Sequence, residues 1–199
     1  MNRLFLTSCA SAALAVAPAV SAAPITYTFT GTMSGFMRDP GTFDTVFDLA
    51  DEPFVLTIEA DTDNITTDPT GFSVPSDLAT FDFPGINGGT SAQATTPTIV
   101  WVNNTNGVLG VGNDDFGIDL LFFSNPAFAT YDLSTPLGTV STAGFSVIDE
   151  QGSPINTGLG ELLVDDAFDT AITFAAVPEP ASLAMLSLGG LLVTRRQSH

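Results

Sequence analysis

The stretch ITYTFTGTM, Ile25 to Met33, indicates the fold of this chain most clearly. Threonine stands at every second position from Thr26 to Thr32, and Tyr27 and Phe29 fall between the threonines. Successive side chains of a β-strand point to opposite faces of a sheet, so this period of two predicts a strand with one buried and one solvated face. We expect Tyr27 and Phe29 to point into a core and the threonines to point outward.

The chain between its two termini shows further short strands separated by turns. A second alternating stretch, Pro53 to Asp61, begins with a proline that suits the first residue of a strand. Further strands are predicted at 78–83, 98–104, 116–124, 128–134, 144–149 and 169–177. Asp39-Pro40-Gly41, Asn106-Gly107 and Asn125-Pro126 are turn signals, and residues 84–115 are predicted to form a long loop or a hairpin. The pattern predicts an all-β fold, an antiparallel β-sandwich of jelly-roll or immunoglobulin-like type, with the many phenylalanines in its core.

Residues 1–22 have the pattern of a secretory signal peptide. Arg3 precedes an apolar run, and small residues end the segment at Ala22. We expect signal peptidase to cut after Ala22; Ala23 is less favoured because Pro24 would then follow the cut directly. Cys9 is the only cysteine and leaves with this segment, so the mature chain is expected to hold no disulfide.

Residues 23–177 form the predicted mature domain, an acidic β-sandwich. They contain 21 Asp and Glu residues and a single cation, Arg38. Such a domain repels phosphate and cannot form a basic patch, which argues against nucleic acid and against an anionic lipid surface as partners.

The residue types that most catalytic sites require are missing from this predicted domain. The only histidine is His199, the last residue, and the domain has no cysteine and no lysine. A Ser-His-Asp triad, a Cys-His pair, a Schiff-base lysine and a Cys/His zinc site are therefore excluded. A pair of carboxylates, as in glycoside hydrolysis, is the route that remains. We expect a protein without enzymatic activity or catalytic residues, with a glycoside-active enzyme as a weaker alternative.

Two acidic clusters could bind calcium, which prefers oxygen ligands. Asp61 and Asp63 follow a predicted strand, and Asp114 and Asp115 form a second, shorter cluster. The same carboxylates could instead cap backbone N–H groups of turns. We expect no cofactor unless calcium binds here, and a calcium-dependent carbohydrate-binding module is the main alternative function.

The C-terminal segment VPEPASLAMLSLGGLLVTRRQSH starts at Val177 and has three parts. Pro178-Glu179-Pro180 comes first, 14 uncharged residues follow at 181–194, and Arg195 and Arg196 come next. A helix of 14 residues is about 21 Å long, which is short for the ~30 Å hydrocarbon core of a bilayer. The arginines would hold the C-terminus in the cytoplasm and leave the acidic domain outside. The apolar run and the arginines together predict a transmembrane helix within residues 178–199, although it is shorter than an ordinary span.

This segment resembles the PEP-CTERM sorting signal of exported bacterial proteins, because the triplet, the apolar run with glycine and the paired arginines occur in that order. The resemblance implies that an exosortase, a multi-span membrane protease, recognises the segment and processes it near the triplet. It assigns Pro178, Glu179 and Pro180 as the recognition triplet and Arg195 and Arg196 as the cytoplasmic anchor. Some proteins labelled ice-binding also end in a similar C-terminal segment.

These features together predict an exported protein that is transiently anchored in the membrane and then found at the cell surface or in the extracellular matrix. The expected partners are signal peptidase and an exosortase-like membrane protease. The resemblance implies exopolysaccharide as a further partner, because exosortase substrates are usually linked to biofilm. The YTFTG sequence at 27–31 is also similar to the start of β-rich ectodomains in such proteins.

Overall fold

Two long antiparallel strands form the central part of the fold. The computed structural model describes residues 24–113, 118–142, 154–164 and 172–178. Strand β1 (Pro24–Arg38) pairs with β2 (Thr45–Asp61) along most of its length. Tyr27 and Phe29 of β1 are fully buried, and the alternating threonines from Thr26 to Thr32 are half-buried. The two faces predicted for ITYTFTGTM are therefore confirmed.

Eleven further strands and two short 3₁₀ helices complete the described part of the chain. The strands are β3 (Thr66–Thr67), β4 (Gly71–Pro75), β5 (Leu78–Phe83), β6 (Thr90–Gln93), β7 (Thr98–Asn103), β8 (Val108–Asn113), β9 (Ile118–Ser124), β10 (Leu137–Thr142), β11 (Ile155–Thr157), β12 (Gly160–Val164) and β13 (Ile172–Pro178), and the 3₁₀ helices are Thr62–Asn64 and Pro126–Thr130.

The strands form two sheets in which all pairs are antiparallel. The larger sheet has the order β10, β13, β1, β2, β5 and β6, and β12 pairs with the far half of β1 and with β11. The smaller sheet has the order β3, β4, β7, β8 and β9. The predicted all-β antiparallel class is confirmed, and the choice between a jelly-roll and an immunoglobulin-like topology stays a prediction.

Buried side chains of both sheets meet in one core around Phe174 of β13. The ring centroid of Phe174 lies 5.1 to 6.4 Å from those of five other rings, on Tyr27, Phe29, Phe123, Phe128 and Tyr131. Phe123 belongs to the smaller sheet, so these contacts join the two layers. Among the described residues, seven phenylalanines are at most 2% exposed, as expected for core residues.

Residues 128–134 do not form the strand that their alternation predicted. Pro126–Thr130 is a 3₁₀ helix, and the Asn125 side chain caps it by accepting a hydrogen bond from the Ala127 N–H at 2.9 Å. Proline at the first helical position has its φ already set for a helical turn. The Asn-Pro pair therefore overrides the alternating pattern, while Phe128 still reaches the core.

The start of β2 also differs from the prediction, because the strand begins at Thr45 and not at Pro53. Pro53 pairs with Thr32 of β1, whereas β5 pairs with β2 only from Val55 onward. Pro53 therefore lies in a stretch that is paired on one side, where a missing N–H is tolerated.

The segment 84–115 contains the predicted hairpin, formed by β7 and β8, with Asn106-Gly107 in its turn. Strands β3, β4, β6, β8, β10, β11 and β12 were not predicted individually. The strand predicted at 144–149 lies outside the described residues.

Two buried tyrosines in the core differ in their hydrogen bonding. The Tyr27 hydroxyl donates to the Leu133 carbonyl at 2.7 Å, whereas the buried Tyr131 hydroxyl has no partner within the described residues. Burial is the main cause that raises the pKa of both phenols.

Replacing each tyrosine by phenylalanine should separate these two situations. Tyr27→Phe is expected to lower the free energy of unfolding by about 1 kcal/mol, because it removes a buried hydrogen bond. Tyr131→Phe is expected to leave this free energy unchanged or to raise it, because it removes a buried hydroxyl for which the described residues offer no partner. Urea unfolding of the two variants measures the difference, and equal losses would contradict the assignment.

The same variants test a pH dependence. The folded pKa of both phenols is raised above the unfolded value of about 10, so the folded protein keeps protons that the unfolded chain releases. The contribution that these bound protons make to the free energy of unfolding is fully present below about pH 10, and it is lost as the pH rises beyond that value. We expect a smaller alkaline loss of stability in each variant than in the wild type.

Candidate processing site

The start of β1 and the end of β13 lie side by side at one end of the larger sheet. We call this end the processing pole and define it by residues 24–26 on β1 and 177–178 on β13. Ile25 pairs with Pro178, and Thr26 pairs with Val177. Pro178, the first residue of the sorting triplet, therefore lies beside the start of β1. The predicted signal-peptidase site follows Ala22, two residues before β1 in the sequence. Ala22 itself lies outside the described residues.

Strand β13 holds the chain in the sheet as far as the first residue of the triplet. Ala176 is fully buried and pairs with Tyr27 of β1 and with Leu137 of β10. Val177 is 51% exposed and pairs with β1, and Pro178 is the last residue of the strand. The strand thus continues one residue beyond its predicted end, and the folded domain reaches into the sorting motif. The remaining sorting residues, Glu179, Pro180, Arg195 and Arg196, lie outside the described residues.

The first calcium candidate lies beside the processing pole, since Asp61 ends β2 and pairs with Pro24. The Asp61 Oδ1 accepts a hydrogen bond from the Asp63 N–H at 2.9 Å and caps the 3₁₀ helix Thr62–Asn64. Within the described residues, no group of three or more Asp, Glu, His or Cys could hold a metal ion. The capping role of Asp61 has direct support, and calcium binding by Asp61 and Asp63 stays a prediction. The second candidate, Asp114 and Asp115, lies outside the described residues.

Three other carboxylates also cap turns. Asp39, Asp68 and Asp132 each accept hydrogen bonds from the N–H groups two and three residues further along the chain. The Thr42 N–H is the largest cause of the lowered pKa of Asp39, and the Thr70 hydroxyl has that role for Asp68. Burial raises the pKa of Asp132, but the hydrogen bonds outweigh it and the pKa is lowered. These acids therefore stabilise turns as carboxylates.

The single cation of residues 23–177 lies at the opposite end of β1. The Arg38 Nε donates to the Glu161 Oε2 at 2.6 Å, and the guanidinium carbon lies 5.1 Å from the centroid of the Phe43 ring. Phe43 is 65% exposed and has a φ of 61°, in the turn between β1 and β2. The carboxylate of Glu161 thus balances the positive charge of Arg38.

The outer face of the smaller sheet carries an aromatic pair that the sequence analysis missed. Trp101 on β7, Gly110 on β8 and Phe122 on β9 lie in one row across the strands. The ring centroids of Trp101 and Phe122 are 6.2 Å apart, and a Cβ on Gly110 would lie 2.5 Å from the indole. Glycine therefore gives the indole room to lie over β8. Strand register brings these three residues together, and no local motif marks them.

The outer face of the larger sheet carries a row of threonines. Thr28 pairs with Thr57 of β2, and Thr57 pairs with Thr80 of β5. The hydroxyls of Thr30 and Thr173 form a hydrogen bond in a neighbouring row. The polar face that the sequence predicted for β1 therefore extends over three more strands.

Comparison with known proteins identifies the C-terminal segment. The family model of the PEP-CTERM protein-sorting motif matches residues 176–197. The match begins at Ala176 inside β13, so it includes the last residues of the folded sheet. The resemblance found in the sequence is confirmed, and the motif marks an exported protein that exosortase, a membrane protease, sorts and processes. No curated protein and no solved structure matches the chain.

None of the helices in the described ranges is long and apolar enough to cross a membrane. The transmembrane segment predicted at 181–194 lies outside these ranges.

The two roles considered for Asp61 make different predictions. Without calcium, Asp61→Ala is expected to lower the free energy of unfolding by about 1 kcal/mol, because the cap is lost. Asp63→Ala should change it little, because only the backbone N–H of Asp63 takes part in the cap. A calcium site would raise the melting temperature of the wild type when calcium is added, and either substitution would remove that rise. A wild-type melting temperature that calcium leaves unchanged would remove the calcium prediction.

Proposed function

We propose that this chain, which carries the PEP-CTERM protein-sorting motif, is a non-enzymatic protein of the cell surface or extracellular matrix, and that its acidic β-domain is delivered there by export and exosortase processing. The register between Ile25 and Pro178 carries the proposal. It supports the proposal because Ile25, close to the predicted signal-peptide cut, lies beside Pro178, the first residue of the triplet. Each segment could then be removed without loss of a core strand.

The same register implies an orientation during delivery. While the C-terminal segment is in the bilayer, Pro178 is the described residue nearest to it along the chain, so the proposal directs the processing pole towards the membrane and β1 away from it. The 15 residues of β1 span up to about 50 Å at the usual rise of a strand. The turn that carries Phe43 is then the part of β1 and β2 furthest from the membrane.

The non-enzymatic part of the proposal rests on residue chemistry. Residues 23–177 contain no histidine, cysteine or lysine, and their one cation is paired with Glu161. Asp39, Asp61, Asp68 and Asp132 each accept a hydrogen bond from a backbone N–H group. These observations favour a role in binding or structure over catalysis.

Mass spectrometry of the chain from a host that carries an exosortase tests the proposal. The surface or extracellular fraction should contain a protein that lacks residues 1–22 and the apolar segment 181–194. Glu179→Gln should cause the full C-terminal segment to persist, because it removes the charge of the triplet. Asp77→Asn is a matched control, since it removes the charge of an exposed acid of the folded domain that lies outside the motif. Wild-type protein recovered from the surface with Arg195 and Arg196 intact would contradict the proposal.

A second candidate function is glycan binding, and the Trp101–Phe122 pair is the observation that favours it. Both rings are half-buried, and the indole nitrogen of Trp101 is covered, so the part of the pair that faces solvent offers apolar area to a sugar ring. The acidic domain would repel a polyanion.

Fluorescence of Trp101, the only tryptophan of the chain, gives a direct test. Titration with cellohexaose, a neutral oligosaccharide, should change the emission, whereas polyanionic alginate should not. The response to cellohexaose should weaken in Phe122→Ala, which removes half of the aromatic pair but keeps the fluorophore. Thr80→Ala, on the other sheet, is the control and should respond as the wild type does. Absence of any response to cellohexaose would remove this ligand from consideration.

A further inference from the structure

We infer that exosortase cuts this chain on the C-terminal side of Pro178, and that Pro178 stays paired with Ile25 in the mature domain, close to its predicted N-terminus. The inference rests on the proposed exosortase processing and assigns a limit to the position of the cut.

The first argument concerns access to the backbone. Proteins commonly bind extended peptides by adding them as a strand, which requires free backbone N–H and C=O groups on the peptide. Ala176 is paired on both sides and fully buried, and Val177 and Pro178 are paired with β1. The first peptide bond beyond this ladder joins Pro178 to Glu179. A cut at or beyond that bond leaves every described pair of β13 closed.

The second argument concerns what an earlier cut would remove. Phe174 lies four residues before Pro178 and contacts rings from both sheets. A cut before Phe174 would separate this side chain from the domain and open the core. Strand pairing therefore protects the part of β13 that the mature domain needs.

The chemical step is hydrolysis of one peptide bond. The carbonyl carbon stays on the domain and gains an oxygen from water, and the nitrogen leaves with the C-terminal segment as a new amine. If the bond that is cut joins Pro178 to Glu179, the new carboxylate belongs to Pro178 and lies beside Ile25 of β1, its partner in the ladder.

A disulfide across the last pairs of the ladder tests whether the ladder stays closed. Thr26 and Val177 pair directly, and neither side chain belongs to the core. Paired residues on antiparallel strands have Cα atoms about 4.5–5.5 Å apart, within the range that a disulfide spans. Thr26→Cys with Val177→Cys, in a Cys9→Ser background, contains no other cysteine. Thr28→Cys with Ala175→Cys is the matched control, since it locks the same strands but leaves the pairs of Val177 and Pro178 free to open.

Both locked variants are expected to lose the C-terminal segment at the same bond and at the same rate as the wild type. Mass spectrometry should place the new C-terminus at or after Pro178 and find it linked to the N-terminal peptide in the Thr26/Val177 variant. The inference is overturned if that variant keeps its C-terminal segment until a reductant is added while the Thr28/Ala175 control is processed. It is also overturned if the wild-type C-terminus lies before Pro178. A wild-type chain that is never processed would instead contradict the proposed function itself.

Discussion

The packing of Phe174 against five other aromatic rings is the interaction on which both sheets depend. Those rings belong to β1, to β9 and to the segment that begins with the 3₁₀ helix at Pro126, so one side chain contacts both layers. Removal of a buried phenylalanine side chain typically costs about 3–5 kcal/mol. Phe174 lies on β13, between β10 and β1. The larger sheet is therefore complete only when its C-terminal strand is in place.

This constraint connects the fold to delivery, because the strand that completes the core is also the strand that enters the sorting motif. The family match starts at Ala176, two residues after Phe174 and inside the same strand. Pairing of β13 with β1 brings the first residues of the motif beside Ile25, close to the predicted start of the mature chain. A separate linker would leave the motif free to move relative to the sheet. Here the register of one strand pair determines where the motif leaves the domain.

Much of the fold could be predicted from local pattern, and the errors have physical causes. The alternation around Tyr27 and Phe29 predicted the two faces of β1, because burial on one side leaves a period of two in the sequence. The strand expected at 128–134 was wrong, because Asn125 and Pro126 favour a capped 3₁₀ turn over the same apolar residues. Short edge strands such as β3 were missed, since two residues are too few to show a period.

The sequence alone determined the class of fold, the acidic character of the domain and the sorting motif, because each depends on residue type and on neighbours along the chain. The triplet at Pro178 and the paired arginines could be recognised without any contact. The tertiary structure alone decided which distant residues meet: Ile25 with Pro178, Trp101 with Phe122, and Thr28 with Thr57 and Thr80. These long-range contacts depend on strand order and register, which arise when both sheets bury their apolar faces around Phe174. No local sequence pattern encodes such contacts.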